Sequence, residues 1–125
     1  MIRAIRGATT AENTKDSIEA ATTELLQEVL AANNLEIDQI VSILFTATTD
    51  LDAAYPAAAA RVMGMTNVSL MCVQEMCVVG SLQRCIRAQV LAEIDIAQSD
   101  VRHIYLKEAR QLRPDLIDGQ GQYGK

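Results

Sequence analysis

Residues 1–10 alternate along the chain, with Ile2, Ala4 and Arg6 on one side and Arg3, Ile5 and Gly7 on the other, the period of a β-strand. That spacing sets Arg6 at the end of an otherwise apolar face. At Asn13 and Thr14, both good helix caps, the period changes. Ile18, Ala21, Leu25 and Val29, joined by Leu26 and Leu30, recur at helical spacing until Asn33 and Asn34 stop the run. A helix of about five turns, buried along one face, is predicted. Residues 40–46 (IVSILFT) are short and rich in β-branched side chains, which predicts a buried strand, and Thr48, Thr49 and Asp50 begin a polar turn. Pro56 in a first-turn position and Gly64 beyond the end bracket a short Ala-rich helix over residues 57–63. Residues 68–73 read as a third strand running into Gln74, Glu75 and Met76, after which Gly80 and Ser81 break the chain.

Over residues 85–95 the composition tolerates a helix, but Ile86, Ala88, Val90, Ala92 and Ile94 alternate without a break with Arg87, Gln89, Leu91, Glu93 and Asp95. Unbroken alternation predicts a strand. Residues 101–106 alternate again, 107–111 form a turn, and the polar, Gly-rich residues 119–125 read as a frayed tail. The sum is about five strands with one long and one or two short helices, an α+β domain built on a five-stranded mixed sheet with helices on one face. No repeat or linker divides the 125 residues, so one domain is expected over 1–118 with a flexible C-terminal tail at 119–125. The sheet face without helices needs cover, and a symmetric oligomer is the usual way to supply it.

Composition narrows the function. Eleven Lys and Arg against 16 Asp and Glu leave a net charge of −5, which works against binding a phosphate backbone, so no nucleic acid is expected. No apolar run approaches the ~20 residues of a membrane span, and residues 1–6 lack the apolar centre of a signal peptide. Cys72, Cys77 and Cys85 are odd in number, form no C-x-x-C pair and have only His103 for company, so no metal site and no cofactor are expected, and reduced thiols place the protein in the cytoplasm. Eight of the 11 cations are Arg, the residue favoured where a planar fork grips a carboxylate, although general compositional bias produces the same ratio.

No G-x-S-x-G, P-loop, H-E-x-x-H or G-x-G-x-x-G motif is present. His103 shares a predicted strand face with Val101 and Tyr105, which suits a structural histidine better than a general base. On the third strand Cys72 suits packing better than a site thiol, and Cys77 and Cys85 read as packing more strongly still. More telling are three charges set in apolar sequence: Arg6 after IRAI, Glu75 inside MCVQEMCVV and Arg87 inside CIRAQVL. Such charges are costly unless paired, and both a structural ion pair and an anion-binding set satisfy that requirement. Tyr105 and Arg113 look ordinary by the same standard.

At these residues a resemblance emerges. IRGATT (5–10), TDLDAAYPAAAAR ending at Arg61, CVQEM (72–76), CIR (85–87), RHIYL (102–106) and LRPDL (112–116) closely resemble the monofunctional, single-domain bacterial chorismate mutases of the α/β kind, as distinct from the all-helical type. The resemblance spans nearly the whole chain in the family's order. It implies a homotrimer whose three sheets form a pseudo-α/β-barrel, with active sites in the clefts between subunits. It also implies the Claisen rearrangement of chorismate to prephenate in phenylalanine and tyrosine biosynthesis, without metal, cofactor or covalent intermediate. By the same resemblance Arg87 meets the ether oxygen, Arg6 binds a substrate carboxylate, Tyr105 donates to a carboxylate, and Glu75 accepts from the ring hydroxyl and positions Arg87. Met71, Cys72, Val73 and Gln74 would line the pocket, Tyr55, Ala57 and Arg61 would reach in from the adjacent subunit, and Leu112 and Arg113 would belong to a mobile cover. Two positions depart from the pattern: Ala58 stands where a related member carries Lys, and Tyr55 where it carries Phe. The first removes a cation from the entrance and bears on steering a dianion rather than on the chemistry. Other readings of the residues are a trimeric enamine or imine deaminase-like enzyme and a small-anion sensor without turnover, and activity on chorismate separates all three.

Overall fold

The computed structural model describes residues 1–113. The end of the LRPDL block and the expected tail at 119–125 lie outside the described residues. Five strands, β1 (Ile2–Thr10), β2 (Ile40–Ala47), β3 (Ser69–Gln74), β4 (Cys85–Glu93) and β5 (Ile104–Tyr105), make one sheet in the order β3-β2-β4-β1-β5. The sheet is mixed: β4 runs antiparallel to both β1 and β2, while β3 joins β2 and β5 joins β1 in parallel. With the helices α1 (Lys15–Ala32) and α2 (Pro56–Val62), this is the α+β architecture expected from the pattern, and it is not all-helical.

The local sequence explains the long helix. The Thr14 hydroxyl accepts the Ser17 N–H at 3.1 Å, satisfying a backbone donor that a helix start leaves unpaired, and the Ser17 hydroxyl accepts the N–H of Glu12 in the approach to the helix at 2.9 Å. Ile18, Ala21, Leu25, Leu26 and Val29 form its buried stripe. At the other end the Asn33 amide donates to the Val29 and Arg102 carbonyls at 2.9 and 3.0 Å, and its oxygen accepts the Arg102 N–H at 2.9 Å. One side chain thus closes the helix and ties it to the approach to β5. Asn34 then turns the chain with φ of +50°, a left-handed conformation that Asn tolerates.

The core lies between the sheet and the helices, where Ile5, Ile43, Phe45, Ala88 and Val90 meet Leu25, Leu26, Val29 and Ala60. Gly7 lets α1 sit close to β1, because a Cβ there would lie 3.1 Å from Leu25 Cδ1. On the other face of the sheet no α-helix packs among the described residues, and Ile2, Val41, Leu44, Met71 and Val73 are exposed, Met71 by 61%.

One predicted strand shrinks. Of residues 101–106 only Ile104 and Tyr105 pair with β1. The Arg6 N–H, which a longer strand would engage with a backbone carbonyl, donates instead to His103 Nδ1 at 2.9 Å, so a side chain ends the ladder. Val101, Ile104 and Tyr105 are all buried, a spacing that is not period two. The following turn is a 3₁₀ segment, Lys107–Leu112, and two further 3₁₀ segments, Ile37–Gln39 and Gln98–Asp100, lie where polar sequence showed no periodicity. No helix among the described residues is long and apolar enough to cross a membrane.

The contact at Gly7 makes a stability prediction. Gly7→Ala is expected to lower the unfolding free energy by about 1–2 kcal/mol through overpacking against Leu25. In a Leu25→Ala background that increment should largely vanish, which urea denaturation of the four proteins would measure; an undiminished cost there would contradict the assignment.

Candidate active site

Strand register assembles a row of side chains across the open face. Val73 on β3 pairs with Thr46 on β2, Thr46 with Arg87 on β4, Arg87 with Ala8 on β1, and Ala8 with Tyr105 on β5. The next row down is Met71, Leu44, Gln89 and Arg6. Because side chains alternate between faces, residues from all five strands that were scattered in sequence share one surface.

Glu75 enters this row from just beyond β3. Its N–H donates to the Ala47 carbonyl at 2.9 Å, extending the parallel pairing by one step and keeping its side chain on the Val73 face. From there the carboxylate reaches over β2, towards a strand roughly 9–10 Å from its own. Arg87 donates from Nε to Oε1 at 2.8 Å and from Nη2 to Oε2 at 2.7 Å, a two-point fork. The Thr46 hydroxyl, on the strand between them, donates to Oε1 at 2.5 Å. The Arg87 fork holds the Glu75 carboxyl below its ordinary range; burial opposes this and the Thr46 bond adds to it. The same pair holds the Arg87 guanidinium above its ordinary value. Glu75 is the covered partner, its side chain 17% exposed against 51% for Arg87. Of the five N–H groups of a guanidinium, two go to Glu75, and three remain for a ligand.

Beside this pair the Arg6 side chain makes no ion pair or hydrogen bond among the described residues, although its backbone N–H is held by His103. Tyr105 is buried in a small cluster with Ala8, Cys85 and Ala109, against which Leu112 and Leu82 pack. Arg6, Thr46, Arg87, Gln89 and Tyr105 line a concavity of about 220 Å³. That is below the ~300–1,000 Å³ of a usual small-molecule pocket. A second, larger hollow of about 520 Å³ runs along the free edge of β3, between Thr48, Leu51, Tyr55 and Pro56 on one side and Cys72, Val73 and Gln74 on the other.

The residues singled out from sequence therefore divide. Arg6, Glu75, Arg87 and Tyr105 come together, with Met71 and Val73 on the same face and Leu112 against the Tyr105 cluster. Arg113 stands near enough to His103 for its charge to act on the imidazole. Tyr55 is in the second hollow, and Arg61 is exposed on the last turn of α2; neither lines the Arg87 concavity. Two of the singled-out residues have side chains that stand apart from the Arg87 group. Ala57 is 5% exposed and packed in this chain's own core. Cys72 pairs with the fully buried Phe45, which turns its side chain to the helix-covered face, away from Arg87. Since the Glu75 N–H faces β2, alternation directs those of Cys72 and Gln74 to the free edge, where they remain available as donors. Cys85, which the sequence assigned to packing, is buried, and burial raises its thiol to about 11, an inert value.

Thr46, Gln89 and His103 were not recognised as neighbours of these charges. For Thr46 the one signal was a hydroxyl near the end of an apolar strand, and only the register reveals what it faces.

The family model described as chorismate mutase type I matches residues 2–116. The chain is 47% identical over 122 residues to the chorismate mutase AroH of Thermus thermophilus, an alignment covering 96% of this chain and 100% of that protein. It is 42% identical over 118 residues to the chorismate mutase AroH of Bacillus subtilis, covering 93% of each. Among solved structures, a chorismate mutase from Clostridium thermocellum superimposes with a TM-score of 0.85 at 51% identity, covering 86% of this chain and 97% of that one.

His103 generates a pH prediction. Burial first, then the charges of Arg6 and Arg113, push its pKa from 6.5 to about 4, so it stays neutral with Nδ1 as acceptor and the proton on Nε2. The unfolded chain then binds the proton first. Stability from the neutral ring is complete above pH 6.5 and is lost as pH falls towards 4. His103→Asn, whose amide oxygen replaces the Nδ1 acceptor, should remove this part of the slope; urea unfolding of both proteins between pH 7 and 4 would detect it, and equal slopes would contradict it.

Proposed function

This chain belongs to the type I chorismate mutase family, and from that membership we propose how it converts chorismate to prephenate: Arg87, held in plane by Glu75, stabilises the charge that develops on the ether oxygen. The substrate is a dianion with two carboxylates, an ether oxygen and a ring hydroxyl. Rearrangement breaks one C–O bond and forms one C–C bond within a single molecule. No proton, electron or leaving group enters or departs, so the balance calls for no cofactor. As the C–O bond lengthens, negative charge grows on the oxygen, and a cation already fixed in position stabilises that state more than the ground state.

The observation that carries this reading is the Arg87–Glu75 fork, which fixes the guanidinium and leaves three N–H groups without a protein acceptor among the described residues. Arg6, with no side-chain partner among the described residues, binds one substrate carboxylate, and Tyr105 donates to a carboxylate. On Glu75, Oε1 already accepts from both Arg87 and Thr46, while Oε2 accepts from Arg87 and, at a long 3.3 Å, from the Met76 N–H. Oε2 is therefore the oxygen that accepts the ring hydroxyl. Met71 and Val73 form an apolar wall, and the outward N–H groups of Cys72 and Gln74 add donors along the edge. Together these contacts hold the compact conformer in which the two reacting carbons meet.

The working unit is a homotrimer in the cytoplasm, serving phenylalanine and tyrosine synthesis. Two features support the assembly: exposed apolar side chains across the sheet face opposite the helices, and a concavity too small to enclose a ligand in one chain. The α2 region of a neighbouring subunit, with Tyr55, the backbone at Ala57 and Arg61, completes the pocket, and Leu112 and Arg113 cover it. Light scattering should give a mass near three chains, and a fully active monomer would contradict the shared pocket.

The kinetic test separates catalyst from anchor. Arg87→Ala should lower kcat by at least a hundred- to a thousandfold, or about 3–4 kcal/mol, with a much smaller effect on KM. Arg87→Lys keeps charge without the fork and should recover only part of the rate. Arg61→Ala should mainly raise KM. Steady-state assays of prephenate formation, on variants whose fold is checked by circular dichroism, decide; a near-normal kcat in Arg87→Ala would show that this residue only binds substrate.

A further inference from the structure

We propose that Thr46 is a positioning residue for the reaction: its hydroxyl fixes the Glu75 carboxylate and, through it, the orientation of the Arg87 guanidinium. The inference deepens the reading above and rests on Arg87 meeting the developing charge. Thr46 stands on β2, the strand that separates Glu75 from Arg87, and is the direct cross-strand partner of both Arg87 and Val73. Glu75 lies just past β3, where its N–H to the Ala47 carbonyl anchors the backbone. A Glu side chain leaving a strand end has three rotatable bonds, and a fork with Arg87 does not by itself choose where the pair rests, because Arg87 is also long and half-exposed. The third contact, 2.5 Å from Thr46 Oγ1 to Oε1, fastens the carboxylate to the sheet.

The chemistry of the hydroxyl excludes direct binding of a dianion. Thr46 has one proton, and it is donated to Glu75, so towards a substrate carboxylate or ether oxygen only lone pairs are left. Oε1 accepts from Thr46 and from Arg87 Nε together, so the oxygen that carries the fork is also the one held in place. The β-branched side chain adds stiffness, since a branched Cβ in a strand restricts χ1 and keeps the hydroxyl aimed. The hydrogen bond also helps keep Glu75 ionised, as the fork requires.

The test compares Thr46→Val, which keeps the shape and removes the hydroxyl, with Thr46→Ser, which keeps the hydroxyl. Each is measured in the wild-type and Glu75→Ala backgrounds, with Arg87→Ala alongside. Thr46→Val should lower kcat by about tenfold with KM within about twofold, and Thr46→Ser should remain within about threefold of wild type. In the Glu75→Ala background the Val substitution should change kcat by less than about twofold, since a residue acting through Glu75 has nothing left to act on. The acid limb of the kcat/KM profile should also move to higher pH in Thr46→Val, because Glu75 loses a bond that favours its charged form. A near-normal Thr46→Val beside a dead Arg87→Ala overturns the role of Thr46 alone. An undiminished loss without Glu75, or a Ser variant as poor as Val, overturns it as well. A near-normal Arg87→Ala removes the catalytic reading first and this proposal with it, so the two failures are distinct. Circular dichroism and urea midpoints of each variant show that folded protein is being compared.

Discussion

A single fork between Glu75 and Arg87 spans three strands, and most of the fold is needed to place it. The two side chains meet only if β4 lies next to β2 and β3 lies on the other side of β2 in a fixed register. A slip of one residue in either pairing would carry one partner to the helix-covered face. Burial beneath the helices forbids such a slip: between β2 and β4 it would expose either Ile43 and Phe45 or Ala88 and Val90, and between β3 and β2 it would turn Leu70 and Cys72 away from the core they pack against. Core packing and active-site geometry are thus two faces of one alternation.

The pair is also asymmetric in a way that suits an electrostatic catalyst. Glu75 is the more covered member and receives donors from Arg87, Thr46 and the Met76 backbone, so its charge is well compensated. Arg87 is half-exposed and retains donors that no protein group occupies among the described residues. A largely covered, well-compensated anion holding a partly open cation directs positive charge outward without leaving an unpaired charge behind it. His103 performs a related service on the neighbouring strands. Its neutral Nδ1 accepts the Arg6 N–H, and β5 begins at the next residue.

How much was legible in the sequence follows from which forces are local. Alternation along β1 and β4, and helical spacing from Ile18 to Leu30, are written in consecutive residues, and so four of the five strands and both helices lie near their expected limits. Arg6, Glu75 and Arg87 stood out because charges in apolar runs demand partners. The family blocks then supplied roles, but blocks do not say which way a side chain points. The resemblance sets Cys72 among the pocket residues, and only the register shows that its side chain packs toward the core while those of Met71 and Val73 share the Arg87 face. Ala57 was hidden for the same reason, an apolar residue whose burial depends on tertiary contacts. The shortened β5 depended on an imidazole taking a backbone donor, a competition that periodicity cannot express. Thr46 was invisible because its meaning comes from the strands on either side of it.

The way the segment between β3 and β4 is fastened has a bearing on how this enzyme can change in length. Glu75 donates its N–H to the Ala47 carbonyl, and Cys85 and Thr48 exchange two hydrogen bonds, the Thr48 N–H to the Cys85 carbonyl at 3.1 Å and the Cys85 N–H to the Thr48 hydroxyl at 3.0 Å. Both ends of the intervening loop are therefore pinned to two adjacent residues, Ala47 and Thr48, at the end of β2. Insertions or deletions among residues 76–84 would leave Glu75 and Arg87 where they are, whereas a single residue gained between Thr46 and Thr48 would separate the two pins and exchange the faces of everything beyond it. Over evolutionary time the loop is free to lengthen, shorten or acquire new contacts, while the end of β2 is a frame that the chemistry does not allow to shift.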